Sequence, residues 1–455
     1  MGILVSPLNN QVHRIMSYAA AFAAFLVLPS FLQGQTLTLN EAIHLAEAHN
    51  RSLQITQLDQ RKAVDEASVA RSYRLPSFSL TAIGSQSLSH LGLTFPLGSL
   101  GTYPNVGPIP GKTTTLQGPL KPSGIFFANI TEPLSQQWKI GLQTQFARVG
   151  QRISEQQVRA TRQAIVNEVR RLYYGILQVE SGKKNLQATV EFLRELDRNT
   201  KQDEFQRVAL HADLLNVQAQ LAQAEYELLK LEDPLQTQKQ QLNRLMGREV
   251  NTPFEADPLS VTGADAPDLE DACARALASR PEIRQARLRV EQARLGRKIA
   301  NADRIPDIGL SATALETVNL STTLPERFIG AGIQMNWDVF DWGRKRRKVD
   351  EARSDEEEAS LHLKDNEAAV VIDVTHRYRQ LVEAKKEVEV AERLQSAAQE
   401  FVRVTRNQYT QKAALLSDLL KAQSNLADAD HQATRALLDL ATAQADLEKA
   451  VGQGE

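Results

Sequence analysis

The side chains that could do chemistry are scattered along this chain. Its eight histidines, His13, His44, His49, His90, His211, His362, His376 and His431, show no His-Glu-x-x-His or similar ligand spacing, the pattern that sets two imidazoles on one helix face around a metal. No Gly-x-Ser-x-Gly elbow is present to expose a nucleophile. Gly107-Pro108-Ile109-Pro110-Gly111-Lys112-Thr113 imitates a phosphate-binding loop, but it is one residue short and Val106 stands where the first Gly belongs. Its two prolines also remove amide donors that a phosphate would need. The single cysteine, Cys273, excludes an intramolecular disulfide and any multi-Cys metal cluster. Lying among Ala272, Ala274 and Ala276, it reads as a small buried helix residue. Carboxylates are plentiful but lie on helix faces without a partner signature. We therefore expect no enzyme, no cofactor and no bound metal. The net charge of −2 is nearly balanced, which argues for neither nucleic acid nor an acidic ligand as partner.

What does stand out is a carboxylate that returns in the same setting. Asp213-Leu214-Leu215-Asn216-Val217-Gln218 comes back as Asp418-Leu419-Leu420-Lys421-Ala422-Gln423, a shift of 205 residues. The same shift puts Val169 on Val374, Tyr173 on Tyr378, Met246-Gly247 on Val451-Gly452 and Leu134 on Val339. The chain is two versions of one unit. Its low aromatic content of 5%, with Ala, Leu, Gln, Glu, Lys and Arg dominant, is that of long helices.

Four kinds of element must position those carboxylates. At the N-terminus, His13 and Arg14 precede a mostly apolar run from Ile15 to Leu32, which predicts a signal peptide over 1–34. Residues 40–75 read as one helix with Asn40 as N-cap, and the segment opened by Asp268-Leu269-Glu270 and closed by Arg304-Ile305-Pro306 repeats it at a shift of 230. A strand-like segment follows in each half. Ser77 to Ile83 alternates polar and apolar residues, and Gly124 to Thr131 runs back; Asp307 to Ala312 and Ile329 to Trp337 do the same in the second half. Each strand is about the ~10 residues that a tilted membrane strand needs. Four strands cannot close a barrel, and an open edge in lipid leaves backbone groups unpaired, so several chains would have to share one. Residues 88–123, with six prolines, read as an irregular loop.

Long helices complete each half. Ile165, Val169, Leu172, Ile176, Val179, Leu186, Val190 and Leu193 keep 3-4 spacing, broken at Lys183, as in a coiled-coil seam. The pattern runs from Ser135 to about Gln202 and spans about 100 Å. It resumes after Asp213, with a kink expected at Pro234. Unbroken, Ser135 to Leu245 would reach about 165 Å. Both strand pairs must meet the same membrane, so the chain has to reverse, and the Asp213 region is the natural place. The predicted organisation is repeat 1 over 35–247 with a strand hairpin over 77–132, a connector over 248–267, and repeat 2 over 268–455 with a strand hairpin over 307–337. The basic run Arg344-Lys345-Arg346-Arg347-Lys348 reads first as a solvated helix face and second as a contact for phospholipid headgroups.

In this order, twice over, the elements resemble the TolC-like outer-membrane efflux proteins. The residues that carry the resemblance are the two Asp-Leu-Leu-x-(Val/Ala)-Gln stretches, the helix ends at Pro76 and Pro306, and the strand-to-helix turns Thr131-Glu132-Pro133-Leu134-Ser135-Gln136-Gln137-Trp138-Lys139 and Asn336-Trp337-Asp338-Val339-Phe340-Asp341-Trp342-Gly343. The last is similar to that family's Trp-Pro-Leu-Phe-Asp-x-Gly pattern, with Asp338 and Val339 replacing Pro and Leu. The resemblance implies a mainly α chain with a β-barrel part: a two-repeat helical hairpin barrel and four membrane strands per chain, closing as a homotrimer. It implies a passive outer-membrane exit duct with a long periplasmic portion, a periplasmic adaptor at the hairpin tips and an inner-membrane pump, for efflux or type I secretion. The tip residues it singles out are Val208, Ala209, Leu210, Asp213, Ala413, Ala414, Leu415 and Asp418. The aperture candidates are Asp418 and Lys421, with a helix cap as the alternative role for Asp418. The sequence departs from the family at the tips, where neither turn contains Gly. A periplasmic or secreted coiled-coil adaptor is the alternative function; it gives no reason for two strand hairpins placed alike in two repeats.

Overall fold

The computed structural model describes residues 35–86, 88–89, 92–117, 120–207, 210–258, 267–319 and 326–453. The expected signal peptide and residues 259–266 of the expected connector lie outside the described residues. The first half runs β1 (Gln35–Leu37), α1 (Leu39–His49), α2 (Arg51–Ser72), β2 (Ser77–Gln86), β3 (Gly92–Phe95), β4 (Thr102–Tyr103), β5 (Gly107–Pro108), β6 (Thr114–Gln117), β7 (Pro122–Pro133), α3 (Gln137–Phe205), α4 (His211–Lys230) and α5 (Glu232–Leu245). The second runs β8 (Phe254–Ala256), α6 (Leu269–Ser279), α7 (Pro281–Ala302), β9 (Asp307–Val318), β10 (Arg327–Asn336), α8 (Arg344–Thr410) and α9 (Leu416–Val451).

The single helix expected over 40–75 is two, and its partner in the second half is divided in the same way. Both pairs are 11 and 22 residues long. Asn50 makes the first break with an extended backbone, ψ 123°. Its side-chain oxygen accepts from the amides of Ser52 and Leu53, and its amide donates to the Leu245 carbonyl at 2.9 Å. Arg280, 230 residues later, is extended too, and Pro281 starts the next helix, where its missing N–H costs nothing. The first cap is Thr38, not Asn40. The Thr38 hydroxyl and the Glu41 carboxylate each accept from the other's backbone N–H, satisfying two orphan donors where Asn40 could satisfy one.

The 69 residues of α3 and 67 of α8 make shafts of about 100 Å each. Each is answered by a returning helical arm, α4–α5 and α9. The expected kink at Pro234 is a break at Leu231 between α4 and α5. Pro234 carries no N–H for the Lys230 carbonyl, so the helix ends one turn before it. Lys183, the one break in the α3 seam, is bonded to the Glu232 carboxylate beside that break.

The core sits at mid-shaft. Tyr173 is fully buried there. Its hydroxyl donates to the carbonyls of Leu37 (2.7 Å) and Asp257 (2.9 Å), at the end of the parallel β1–β8 pair. Burial pushes its pKa up to about 12. A second cluster around Val374, Leu381 and Leu447 joins α6, α8 and α9, and half-buried Cys273 packs at its margin.

At one end the shafts meet a four-stranded antiparallel sheet in the order β10-β9-β7-β2. The segment expected as an irregular loop contains two short antiparallel pairs, β3–β6 and β4–β5. The first forms because Gly92–Phe95 and Thr114–Gln117 hold no proline, so their amides are free for pairing; the second is two residues long and includes Pro108.

Candidate functional site

The sheet has two chemically distinct faces, and the register fixes which residues share each. Phe78 pairs with Ile130, Leu80 with Ala128 and Ala82 with Phe126. On the same face Ile130 meets Ala312 and Ala128 meets Ala314, and Leu310 meets Ile333. Between Glu132 at one end and Glu316 at the other, that face is apolar across all four strands, and Phe78, Leu80 and Ile333 are 71%, 68% and 74% exposed. The opposite face is polar near the shafts, with Ser77, Ser79, Thr81, Asn129, Ser311 and Thr313 and with Asn129 accepting from the Thr313 hydroxyl at 2.9 Å, and it carries Ile83, Ile125, Phe127, Leu315 and Phe328 toward the far end of the strands. Alternation of this kind suits a sheet with hydrocarbon on one side and water on the other. β2 and β10 are both edges, so each leaves a row of backbone donors and acceptors without a strand partner among the described residues.

At the far end of the shafts lie the two hairpin tips. Val208 and Ala209 fall outside the described residues. Leu210 and Leu415 precede α4 and α9 with extended backbones and are each 70% exposed. Ala413 is exposed and Ala414 half-buried. The N-caps, Leu210 and Leu415, lie three residues before the repeated aspartates. Asp418 therefore sits in the first turn of α9, not at its N-cap, and its carboxylate reaches back to accept from the Leu415 amide at 3.2 Å. Asp418 and Lys421 are exposed, one turn apart on one face of α9. Asp213 is half-buried and turned toward the other hairpin. Burial raises the Tyr409 hydroxyl pKa, and the charges of Asp203 and Asp213 raise it further. The two repeated aspartates thus stand in different surroundings.

A family model described as "Outer membrane efflux protein" matches residues 42–248 and 272–453. The chain belongs to the outer membrane efflux protein family. Among curated relatives it is 25% identical over 308 residues to the alkaline protease secretion protein AprF of Pseudomonas aeruginosa, a match covering 65% of this chain and 63% of the relative. Among solved structures it is similar to the CmeC outer membrane channel of Campylobacter jejuni (TM-score 0.77, 16% identity, 91% of this chain and 85% of that one). It is also similar to the outer membrane protein VceC of Vibrio cholerae (TM-score 0.73, 18% identity, 91% and 96%). At these identities the structures speak for the fold. Membership in an outer-membrane efflux family sets aside the adaptor reading.

Sequence reasoning missed several residues that shape this efflux-family chain. Arg207 and Lys412 take left-handed backbones at the tips, φ 59° in both; only the 205-residue spacing could have paired them. Asp446 is buried on α9 and accepts from Asn167 of α3 at 2.8 Å and from Arg377 of α8 at 2.9 Å. These partners are too far apart in sequence for any local pattern to join them.

Proposed function

We propose that this chain is one protomer of a homotrimeric exit duct in the bacterial outer membrane, a passive channel serving efflux or type I secretion. The observation that carries the proposal is the four-stranded sheet: one apolar face, a second face that is polar in its shaft-side half, and two open edges, mounted on shafts of about 100 Å. Lipid tolerates no unpaired edge, so β10 of one copy would pair with β2 of the next, and three copies would give a twelve-stranded barrel. The shafts would cross the periplasm, with the hairpin tips meeting a periplasmic adaptor and, through it, an inner-membrane pump. The tip residues Leu210, Asp213, Ala413, Ala414, Leu415 and Asp418, with Val208 and Ala209, are the proposed adaptor contacts. AprF is named for protease secretion, which supports a secretion role beside efflux. Light scattering on detergent-extracted protein tests the assembly. A trimer is expected; a stable water-soluble monomer would reject the duct.

A further inference from the structure

The chain has three tryptophans, Trp138, Trp337 and Trp342, and all three lie where strands hand over to shafts. Trp337 directly follows β10, Trp342 lies two residues before α8, and Trp138 is the second residue of α3. Each is at least half exposed, Trp342 at 86%, and Trp342 meets Phe340 edge-to-face with ring centroids 4.8 Å apart. Amphipathic rings at the border of an apolar sheet face sit at the level of lipid headgroups.

The basic run Arg344–Lys348 begins at this level. Its first two members are already matched: Asp338 lies 3.3 Å from Arg344 and 3.6 Å from Lys345. Asp341 turns its carboxylate to the Gly343 and Lys345 amides, and Asp303 holds Lys139 at 2.6 Å. Arg346, Arg347 and Lys348 are exposed, and none has an ion pair to a carboxylate among the described residues. Successive helix residues are about 100° apart, so these three project around most of the shaft, and its outward side carries a cation whichever way the shaft is turned. Lys348 also borders a mixed-charge cleft of about 300 Å³ in which Lys139, Arg344 and Lys345 face Asp303, Asp307 and Asp338, so the unmatched cations of the run lie beside it and not within it. The equivalent corner of the first repeat has Gly141, Leu142 and Gln143 at the positions of Arg346, Arg347 and Lys348. The charge belongs to one corner of the repeat and not to the fold.

We propose that the β10–α8 corner binds the phosphate of anionic phospholipid headgroups in the periplasmic leaflet, with Arg346, Arg347 and Lys348 as the cations and Trp337 and Trp342 as the flanking interfacial anchors. The proposal rests on the membrane placement given above. Guanidinium groups bind phosphate through paired N–H donors, and the aromatic belt sets the depth at which they meet it.

The test uses the full assembled protein in nanodiscs of phosphatidylcholine alone and with added phosphatidylglycerol. The wild type should melt about 3 °C higher with phosphatidylglycerol, as ligand linkage requires, and the gain should shrink with salt. The triple variant Arg346→Gln, Arg347→Gln, Lys348→Gln should lose at least half of that gain. An Arg346→Lys, Arg347→Lys variant keeps the charge and should retain most of it, which separates charge from misfolding. Equal melting of the wild type in both discs would overturn the site. So would an equal gain from inorganic phosphate in phosphatidylcholine discs, since the ligand would then be a free anion. Protein that never enters a nanodisc would overturn the membrane placement itself, a separate result.

Discussion

Arg207 and Lys412 stand 205 residues apart and share one backbone conformation, φ 59° in each. Each is the second residue beyond a shaft, following the C-cap Gln206 after α3 and Gln411 after α8. At the second tip, the Lys412 amide donates to the Tyr409 carbonyl and the Ala413 amide to the Gln408 carbonyl. That is the pattern of a helix closed by a left-handed residue. The same closure ends the returning arms, but there the left-handed residues are Gly247 (φ 69°) and Gly452 (φ 81°). The chain thus closes four helices alike, two with glycine and two with a long cationic residue.

The cost of a left-handed L-residue predicts the effect of removing it. Arg207→Gly and Lys412→Gly should each stabilise the assembled protein by about 0.5–1 kcal/mol. This is the ~1–2 kcal/mol relief of the strained backbone less the larger unfolded-state freedom of glycine. Thermal melting of each variant checks this. A lower melting temperature would mean that the two side chains make stabilising contacts that outweigh the strain.

Gly247 and Gly452 answer to the opposite substitution. A Cβ on Gly247 would lie 2.5 Å from the His49 carbonyl oxygen, and one on Gly452 would lie 2.5 Å from the Ser279 hydroxyl oxygen. His49 and Ser279 end α1 and α6, so each glycine lets a returning arm close against a short helix. Gly247→Ala should cost at least ~2 kcal/mol, because it adds a backbone clash to an unfavourable φ. Gly452→Ala should cost less, because the Ser279 hydroxyl can rotate away. Chemical denaturation of the two variants side by side would show the order.

Much of this plan could be read from the chain. The 205-residue shift pairs Met246-Gly247 with Val451-Gly452 because a turn that needs glycine writes itself into the sequence. The strands were legible for the same kind of reason, since two solvents impose a period of two on Ser77 to Ile83. The place of the first reversal, near Asp213, was legible too, but the closure of the shafts was not, because Arg207 and Lys412 adopt a glycine conformation without being glycine. Nor was the break at Asn50, where one extended residue interrupts a continuous helical pattern. The strands of the 88–123 segment were hidden by its prolines, which lie largely at its turns and ends.

Asp446 is a charge placed among three long helices. With its side chain 10% exposed, it holds Asn167 and Arg377 together. Asp446→Ala would leave Asn167 without its acceptor and the part-exposed Arg377 with only Asp373 and Gln380, and should cost about 1–2 kcal/mol. The double variant Asp446→Leu, Arg377→Met should cost less than the single one, because no charge is then stranded. Denaturation of the set decides; a double variant worse than Asp446→Ala would show that the pair is a net stabiliser.

The arm between β2 and β7 is expected to be dispensable for assembly. The hydrogen bonds of its outer part stay within it: the Gly98 amide to the Pro110 carbonyl, Leu100 to Ile109 and Ile109 to Gly101. Leu93, Leu97, Leu100 and Val106 are exposed, so they add nothing to the core of the shafts. Deleting most of residues 88–123 and rejoining the strands should leave a trimer by light scattering. Failure to assemble would make the arm a wall or plug of the barrel.

Asp418 and Lys421 share one exposed face of α9 at its tip. The Asp418 carboxylate caps the start of α9 through one oxygen, Oδ2, and its other oxygen has no hydrogen-bond partner among the described residues. Capping and lining an aperture are therefore compatible roles. In the proposed trimer, three Asp418 carboxylates around one axis would repel one another, and three Lys421 ammonium groups one turn away would offset that charge. The wild-type channel should accordingly bind multivalent cations weakly. Lys421→Asp would replace the offsetting cations by a second ring of carboxylates, and trivalent cations should then block the pore strongly from the periplasmic side. The exposure of Lys421 makes the substitution safe for folding, so the two proteins can be compared at equal assembly. Single-channel recording in planar bilayers is the measurement. If the Lys421→Asp trimer responds to trivalent cations as the wild type does, the paired rings are rejected and Asp418 is a helix cap alone.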